Sequence, residues 1–193
     1  HTKFDLTREK RKFSKNVALW LIIWYSIREK WAYKYQGKRG KVSGFMIALG
    51  SDHGGYKLKE EIKKYLEEKE IEYEDCGTFS EERIDYPDIA KTVAIEVQKN
   101  ECDCGILICR SGIGMSIVAN KFKGIRCAKC NNEEEAKFSR MHNNSNILAL
   151  GADYLTTNDA IKIVRMWIAT EFEGGRHENR LKIIEEIEKE NMK

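Results

Sequence analysis

The stretch that decides the fold is Cys-Gly-Ile-Leu-Ile-Cys-Arg-Ser-Gly-Ile-Gly-Met-Ser, residues 104–116. Its first part, 105–108, is a short apolar run of the kind found in strands buried on both faces of a parallel sheet. Small residues and two glycines, Gly112 and Gly114, then precede a helical segment. Such a turn points backbone N–H groups toward an anion, and a cysteine at its mouth, Cys109, lies in the same positive field, which favours thiolate. The alternative is a tight turn beside a buried, inert cysteine.

Strands and helices alternate from residue 46 onward. The strands are predicted at 46–50, 71–77, 105–109, 125–130 and 146–151. The helices are predicted at 56–70, 87–100, 115–121, 132–142, 158–172 and 176–192. This alternation predicts an α/β fold with a parallel sheet covered by helices on both faces. Ligands of such sheets bind at the carboxyl ends of the strands, which is where Asp52, His53, Cys109 and Ser111 fall.

Charge separates the first 45 residues from the rest of the 193-residue chain. Residues 1–45 contain 12 Lys/Arg and 3 Asp/Glu, whereas the remainder contains 22 and 28. The sequence pI of 8.4 therefore reflects the first segment and does not indicate nucleic-acid binding by the main domain. We expect a basic and aromatic N-terminal extension at 1–45, a main domain at 46–193, and no nucleic-acid partner.

The extension contains one apolar run, 17–27, which is 11 residues long and too short to cross a bilayer. Basic residues flank this run, and tryptophans recur near helical spacing. One interpretation is that residues 1–45 precede the native protein. The other is a helix that lies on a membrane surface or binds a partner, so that membrane contact is expected only through 15–31.

The chain has six cysteines, most of them on or beside predicted strands, where small buried thiols are common. Reduced cysteines indicate a cytoplasmic protein. Cys127 and Cys130 have the spacing of half a zinc site, but no second Cys/His pair stands at matching spacing. We therefore expect no metal.

Seven motifs follow one another through the main domain. They are Gly50-Ser-Asp-His-Gly-Gly55, Asp85-Tyr-Pro-Asp88, Gly105-Ile-Leu-Ile-Cys109, Gly112-Ile-Gly-Met-Ser-Ile-Val-Ala-Asn-Lys121, Gly124-Ile-Arg126, Ser139-Arg-Met-His-Asn143 and Gly174-Gly-Arg-His-Glu-Asn-Arg180. In this order they resemble the ribose-5-phosphate isomerase B family, which also includes galactose-6-phosphate isomerase subunits. The resemblance implies a Rossmann-like three-layer sandwich with a five-stranded parallel sheet and a C-terminal helix. It also implies a homodimer, or a dimer of dimers, with active sites at the interface and no metal or organic cofactor.

The chemistry that the resemblance implies is aldose–ketose isomerisation of a sugar phosphate. The sugar ring opens, and a proton then moves between C2 and C1 through an enediolate. By resemblance, Cys109 is the carbon base, Ser111 lies near the reacting oxygens, and His142 opens the ring. Backbone N–H groups around Gly112 and Gly114 would stabilise the enediolate.

Further residues match substrate contacts of the family. On the sugar and phosphate side these are Asp52, taken with the catalytic residues, together with His53, Tyr86 and Asn143. Arg176 and Arg180 are spaced i,i+4, so they share a helix face and can bind one phosphate together; the alternative is a solvated pair beside Glu178. His177 is expected to be a surface or capping histidine.

Two positions depart from the family pattern. Arg110 stands where the family usually has glycine, and Asp153 stands where it usually has a phosphate-binding arginine. Our hypothesis is that Arg110 supplies the charge lost at position 153 and contacts the substrate. The alternatives are that Arg110 points to solvent and the phosphate site is weaker, or that the substrate is not ribose 5-phosphate.

The leading function is interconversion of ribose 5-phosphate and ribulose 5-phosphate. One alternative is an isomerase of a hexose 6-phosphate, such as allose or galactose 6-phosphate. The other is a non-catalytic sugar-phosphate-binding protein, against which the presence of Cys109, Ser111 and His142 argues. A nucleotide-binding protein is disfavoured because the first turn lacks the G-x-G-x-x-G pattern.

Overall fold

The computed structural model describes residues 45–192. The expected surface helix within 15–31, and all of the proposed extension except Phe45, lie outside the described residues. None of the helices in the described part has the length and apolar content needed to span a bilayer.

The described residues form one sheet flanked by helices. The strands are β1 Met46–Ser51, β2 Glu72–Asp75, β3 Cys104–Cys109, β4 Cys127–Lys129 and β5 Ile147–Gly151. The helices are α1 Tyr56–Glu68, α2 Tyr86–Gln98, α3 Ile113–Ala119, α4 Glu133–Met141, α5 Thr157–Ala169 and α6 Arg176–Asn191. This arrangement confirms the α/β fold with a five-stranded sheet and a C-terminal helix.

All strand pairs are parallel, in the order β2-β1-β3-β5-β4. The chain builds outward from β1 to β2 and then returns to place β3 on the other side of β1. This reversal puts a topological switch point between β1 and β3, and ligands of open α/β sheets bind outside the carboxyl ends of the strands at such a point. Ser51 pairs with Ile108 there, so the turn after β1 lies beside the end of β3.

The core lies on both faces of the sheet, and β3 is buried along its whole length. Ile106 and Ile108 pack in the cluster with α1 and α5, whereas Leu107 and Cys109 pack in the opposite cluster with α2 and α3. The period-2 alternation of a strand thus directs Cys109 toward the face covered by α2 and α3. The apolar run at 105–108 is the buried strand that its sequence predicts.

Most helix boundaries differ from the sequence prediction by one to three residues. The helix predicted at 158–172 ends at Ala169, because Thr170 adopts extended backbone. There the Thr170 carbonyl accepts a hydrogen bond from Arg140 Nε at 3.2 Å, and the Thr170 hydroxyl donates to the Met166 carbonyl at 2.7 Å. The helix predicted at 115–121 begins earlier, at Ile113, immediately after the glycine that precedes it.

We propose that the main domain folds without residues 1–44, and removal of these residues is expected to leave a folded, active dimer. All five strands and both core clusters in the described part come from residues 45 onward, and Phe45 itself packs against the core. Size-exclusion chromatography, a thermal melt and sugar-phosphate turnover would check this. An aggregated or inactive 45–193 protein would show that the extension covers apolar surface or completes the site.

Candidate active site

Cys109 ends β3 at the switch point and is buried. The Gly112 N–H donates a hydrogen bond to Cys109 Sγ at 3.1 Å. The cysteine and the glycine turn predicted from residues 104–116 therefore form one unit with a thiol aimed at a backbone donor.

Other cysteines lie in surroundings that suppress thiolate. Burial, with the Glu74 carboxylate nearby, raises the pKa of Cys76 and of Cys102 to about 12. Burial also raises the pKa of Cys104, at the opposite end of β3. These three groups remain thiols at neutral pH and are poor candidates for a base.

Two glycines shape the turn that follows Cys109. Gly112 has φ +75°, and a Cβ there would lie 2.9 Å from the Leu150 carbonyl carbon, so a side chain meets both strain and backbone. A Cβ at Gly114 would lie 2.7 Å from the Tyr86 ring. The absence of side chains thus lets the turn lie against β5 and lets Tyr86 cover the start of α3.

The turn after β1 lies beside Cys109. The Asp52 N–H donates to the Ile108 carbonyl at 3.1 Å, and Asp52 Oδ1 accepts a hydrogen bond from the Gly55 N–H at 3.0 Å. His53 Nδ1 lies 3.2 Å from the Ile84 carbonyl oxygen. These contacts fix the buried Asp52 carboxylate and the half-buried His53 ring at the same edge of the sheet as Cys109.

Ser111 belongs to the same turn. Its hydroxyl oxygen accepts a hydrogen bond from the Ile113 N–H at 3.2 Å, which places it at the start of α3. We refer to the residues gathered here as the carboxyl-edge group: Asp52, His53, Tyr86, Cys109, Arg110, Ser111, Gly112 and Gly114.

Arg110 and Asp153, the two departures from the family pattern, contact each other. Arg110 Nη1 lies 3.5 Å from Asp153 Oδ2, and the Asp153 N–H donates to the Arg110 carbonyl at 3.0 Å. The Arg110 stem covers Gly54, where a Cβ would lie 2.6 Å from Arg110 Cγ. A substrate phosphate would therefore share the Arg110 guanidinium with the Asp153 carboxylate, and the compensation hypothesis stays a prediction.

His142 lies in a different place, as the C-terminal cap of α4. Its ring stacks on His177, with the centroids 4.4 Å apart and the planes inclined by 11°. His142 Nε2 lies 3.7 Å from Glu173 Oε2. The Glu173 N–H donates to the Met141 carbonyl at 3.0 Å, which holds the segment before α6 against the end of α4.

The expectation that His177 lies at the surface or caps a helix is wrong, since it is only 2% exposed. The first turn of α6 directs its ring inward against His142. Burial lowers the pKa of His177, with the neighbouring His142 adding to the effect, so the ring is neutral at neutral pH. Sequence reasoning also missed Glu173, because no local pattern links it to His142.

Asn143 follows His142 at the amino ends of two strands. Its carbonyl accepts a hydrogen bond from Arg126 Nε at 3.1 Å, and the Arg126 N–H donates to Asn146 Oδ1 at 2.7 Å, just before β4 and β5. Arg176 and Arg180 are exposed on the first two turns of α6. We refer to His142, Asn143, Arg176 and Arg180 as the amino-edge group.

Within one chain the two groups lie at opposite edges of the sheet. Gly151, at the end of β5, pairs with Cys109, whereas Ile147, at its start, pairs with Gly105. At about 3.3 Å per residue, the four steps along β5 separate these edges by roughly 13 Å. The structure therefore brings together the predicted residues within each group, but not the two groups.

Apolar side chains are exposed beside both groups. Ile113 and Ile117 on α3 are 54% and 55% exposed, and Ile183 and Ile187 on α6 are 56% and 52% exposed. A cavity of about 400 Å³ between β4 and α6 borders Asn143, and Cys109 does not line it. The two isoleucines of each helix are four residues apart and therefore share one exposed face, as expected of an interaction surface.

Comparisons with known proteins agree with the fold and the motifs. The sequence pattern of the family described as Ribose/Galactose Isomerase matches residues 47–184. The chain is 47% identical over 142 residues to ribose-5-phosphate isomerase B of Escherichia coli, which covers 74% of this chain and 95% of that protein. It is 41% identical over 145 residues to ribose-5-P isomerase B of Listeria innocua, covering 75% and 98%.

Two solved structures have the same fold. Ribose-5-phosphate isomerase B of Clostridium thermocellum superposes with a TM-score of 0.75 at 49% identity, covering 76% of this chain and 99% of that one. The enzyme of Mycoplasma genitalium, solved with bound ribulose-5-phosphate, superposes with a TM-score of 0.73 at 41% identity, covering 76% and 98%.

Proposed function

The chain belongs to the Ribose/Galactose Isomerase family, and on that premise we propose that it interconverts ribose 5-phosphate and ribulose 5-phosphate with Cys109 as the carbon base and His142 as the ring-opening residue. The relatives named ribose-5-phosphate isomerase B support this substrate, as does the Mycoplasma genitalium structure with ribulose-5-phosphate. The single observation that carries the role of Cys109 is its buried sulfur at the switch point, facing the Gly112 N–H at 3.1 Å.

The proposed reaction moves one proton between two carbons. The Cys109 thiolate removes the proton from C2 of the open aldose, and the resulting thiol returns it to C1 of the enediolate. The Gly112 N–H donates a hydrogen bond to the sulfur. We propose that the Gly114 N–H, in the first turn of α3, donates to the enediolate oxygen. Ser111, in the turn after β3, and Asp52, in the turn after β1, are proposed to bind the reacting oxygens.

We further propose that each active site is composite, with the carboxyl-edge group of one chain and the amino-edge group of a second copy. The separation of the two groups along β5 supports this, because neither group alone offers both a carbon base and a ring-opening residue. The exposed isoleucines of α3 and α6 support an interface beside both groups. A two-fold interface would complete two equivalent sites.

A hexose 6-phosphate is the second candidate substrate. The observation in favour of this alternative is the contact between Arg110 and Asp153. A carboxylate near the phosphate-binding side changes the charge that the family pattern provides.

We expect the cytoplasm as the compartment, consistent with six free cysteines.

A coupled assay with ribose, allose and galactose phosphates tests the proposed function directly. The ribose 5-phosphate reaction is expected to have the highest kcat/KM. Higher kcat/KM with a hexose 6-phosphate would replace the pentose assignment, and binding of all three without turnover would identify a sugar-phosphate-binding protein.

Replacing Arg110 by glycine is expected to raise KM for the phosphate substrate by roughly ten- to a hundredfold. A charge-assisted hydrogen bond from a guanidinium to a phosphate contributes about 1.5–3 kcal/mol. Adding Asp153→Arg to this variant restores the family pattern and should recover part of the loss. The measurement is kcat/KM for wild type, both single variants and the double variant. An unchanged KM in Arg110→Gly, or no recovery in the double variant, would reject compensation.

A further inference from the structure

Three side chains with metal-binding atoms converge beside the end of α4. Glu173 Oε2 lies 3.7 Å from His142 Nε2 and 3.9 Å from His177 Nε2, and all three atoms lie within 4.8 Å of one another. Tetrahedral zinc, with bonds of about 2.0–2.2 Å, holds neighbouring ligand atoms about 3.4 Å apart. Rotation of the partly exposed His142 and Glu173 side chains would bring the three atoms into one coordination sphere.

We propose that His142, Glu173 and His177 form a binding site for a divalent transition-metal ion of the zinc or cobalt class. Two imidazole nitrogens and one carboxylate are a donor set that such ions prefer over calcium or magnesium. The side chains of His142 and Glu173 are 33% and 54% exposed, so an ion can enter from solvent and keep a water or substrate oxygen as a fourth ligand.

The structure prepares the buried side of this site. The His177 ring is 2% exposed and therefore fixed in place, whereas its stacking partner His142 is partly exposed and must turn out of the stack for both rings to bind one ion. His177 Nε2 accepts a hydrogen bond from Arg176 Nε at 3.4 Å, so its lone pair faces the Arg176 guanidinium. Its other nitrogen, Nδ1, is buried with no hydrogen-bond partner. An ion would replace the exposed Arg176 at the lone pair.

A backbone contact also braces the site. The ligands come from three separate segments, and the hydrogen bond between the Glu173 N–H and the Met141 carbonyl braces two of them. The expectation of no metal rested on cysteine spacing and on the family resemblance; cysteine spacing does not apply to ligands this far apart in the chain.

If His142 opens the sugar ring, as the proposed function states, metal binding affects catalysis. His142 Nε2 cannot bind a metal ion and exchange protons with the sugar at the same time. Metal binding would therefore inhibit the opening of the sugar ring, while the carboxyl-edge group, including Cys109, stays intact. The site would make the isomerase sensitive to free zinc.

Titration of the full-length protein with Co²⁺ tests the site without reference to activity. Wild-type protein is expected to bind one ion per chain with visible d–d absorption and without the thiolate charge-transfer band that a cysteine site produces. Glu173→Gln should weaken Co²⁺ binding by at least about tenfold, since even partners of direct ligands contribute that much. Glu171→Gln, a change to an exposed carboxylate two residues away, is the matched control and should leave the affinity unchanged.

The absence of saturable binding, a thiolate band, or equal Co²⁺ affinity in wild type and Glu173→Gln would overturn the site. Turnover measured in the presence of Zn²⁺ distinguishes failure of the metal site from failure of the proposed function. Zinc should inhibit wild type more strongly than Glu173→Gln. If the cobalt results hold and zinc leaves turnover unchanged, the metal site stands and the ring-opening role of His142 is rejected.

Discussion

Replacing Cys109 by alanine is expected to lower kcat by about 10²–10⁴-fold, the usual contribution of a positioned general base. Alanine cannot accept the C2 proton, and the Gly112 N–H that faces sulfur at 3.1 Å loses its partner. The fold should survive, because the change removes a single atom at the end of a strand. Turnover of ribose 5-phosphate and a circular dichroism melt measure the two effects separately.

Cys104→Ala is the matched control for this experiment. It makes the same substitution in the same buried strand, but at the opposite end, where burial raises the pKa of the thiol. We expect near wild-type turnover from Cys104→Ala. Wild-type turnover from Cys109→Ala, or equal losses in the two variants, would remove Cys109 as the base.

Co-expression of Cys109→Ala and His142→Asn chains is expected to restore activity that neither variant has alone. In a composite site, each mixed dimer holds one site in which the intact Cys109 of one chain meets the intact His142 of the other. Random pairing makes half of the dimers mixed, with one intact site in each, so recovery should approach about one quarter of wild-type turnover. Two different affinity tags allow the mixed dimer to be purified and assayed.

The control pairs Cys109→Ala with a chain that carries both substitutions. Its mixed dimers contain no intact site, so recovery there would reflect altered stability rather than shared sites. If the first mixture also stays inactive, both groups must act within one chain, and the composite-site proposal fails.

The stretch at 104–116 predicted its own structure because its signals are local. An apolar run specifies the buried strand, and the positive φ of the residue directly before α3 requires a glycine there, Gly112. The order of the strands is not local. Arg110 follows the end of β3, and Asp153 follows the end of β5. The two residues lie within contact distance because β3 and β5 are neighbours in the sheet.

The amino-edge group was harder to predict. The first turn of α6 is polar in sequence, Arg-His-Glu-Asn-Arg, and gives no sign that His177 alone turns inward. Its burial depends on the stacking with His142 and on the segment that carries Glu173, which are contacts between distant parts of the chain. The helical periodicity of a sequence shows which side chains share one face of a helix. It does not show which residues from elsewhere in the chain pack against the first turn.

The location of Cys109 and His142 at opposite edges of one sheet has a consequence for the kinetics of the enzyme. Under the composite-site proposal, a single chain is fully folded but holds only one part of each active site. Mass action then governs turnover: specific activity declines on dilution as dimers dissociate, and substrate that bridges two chains slows that decline by binding only the assembled form. A newly synthesised chain acquires activity at the moment it meets its partner.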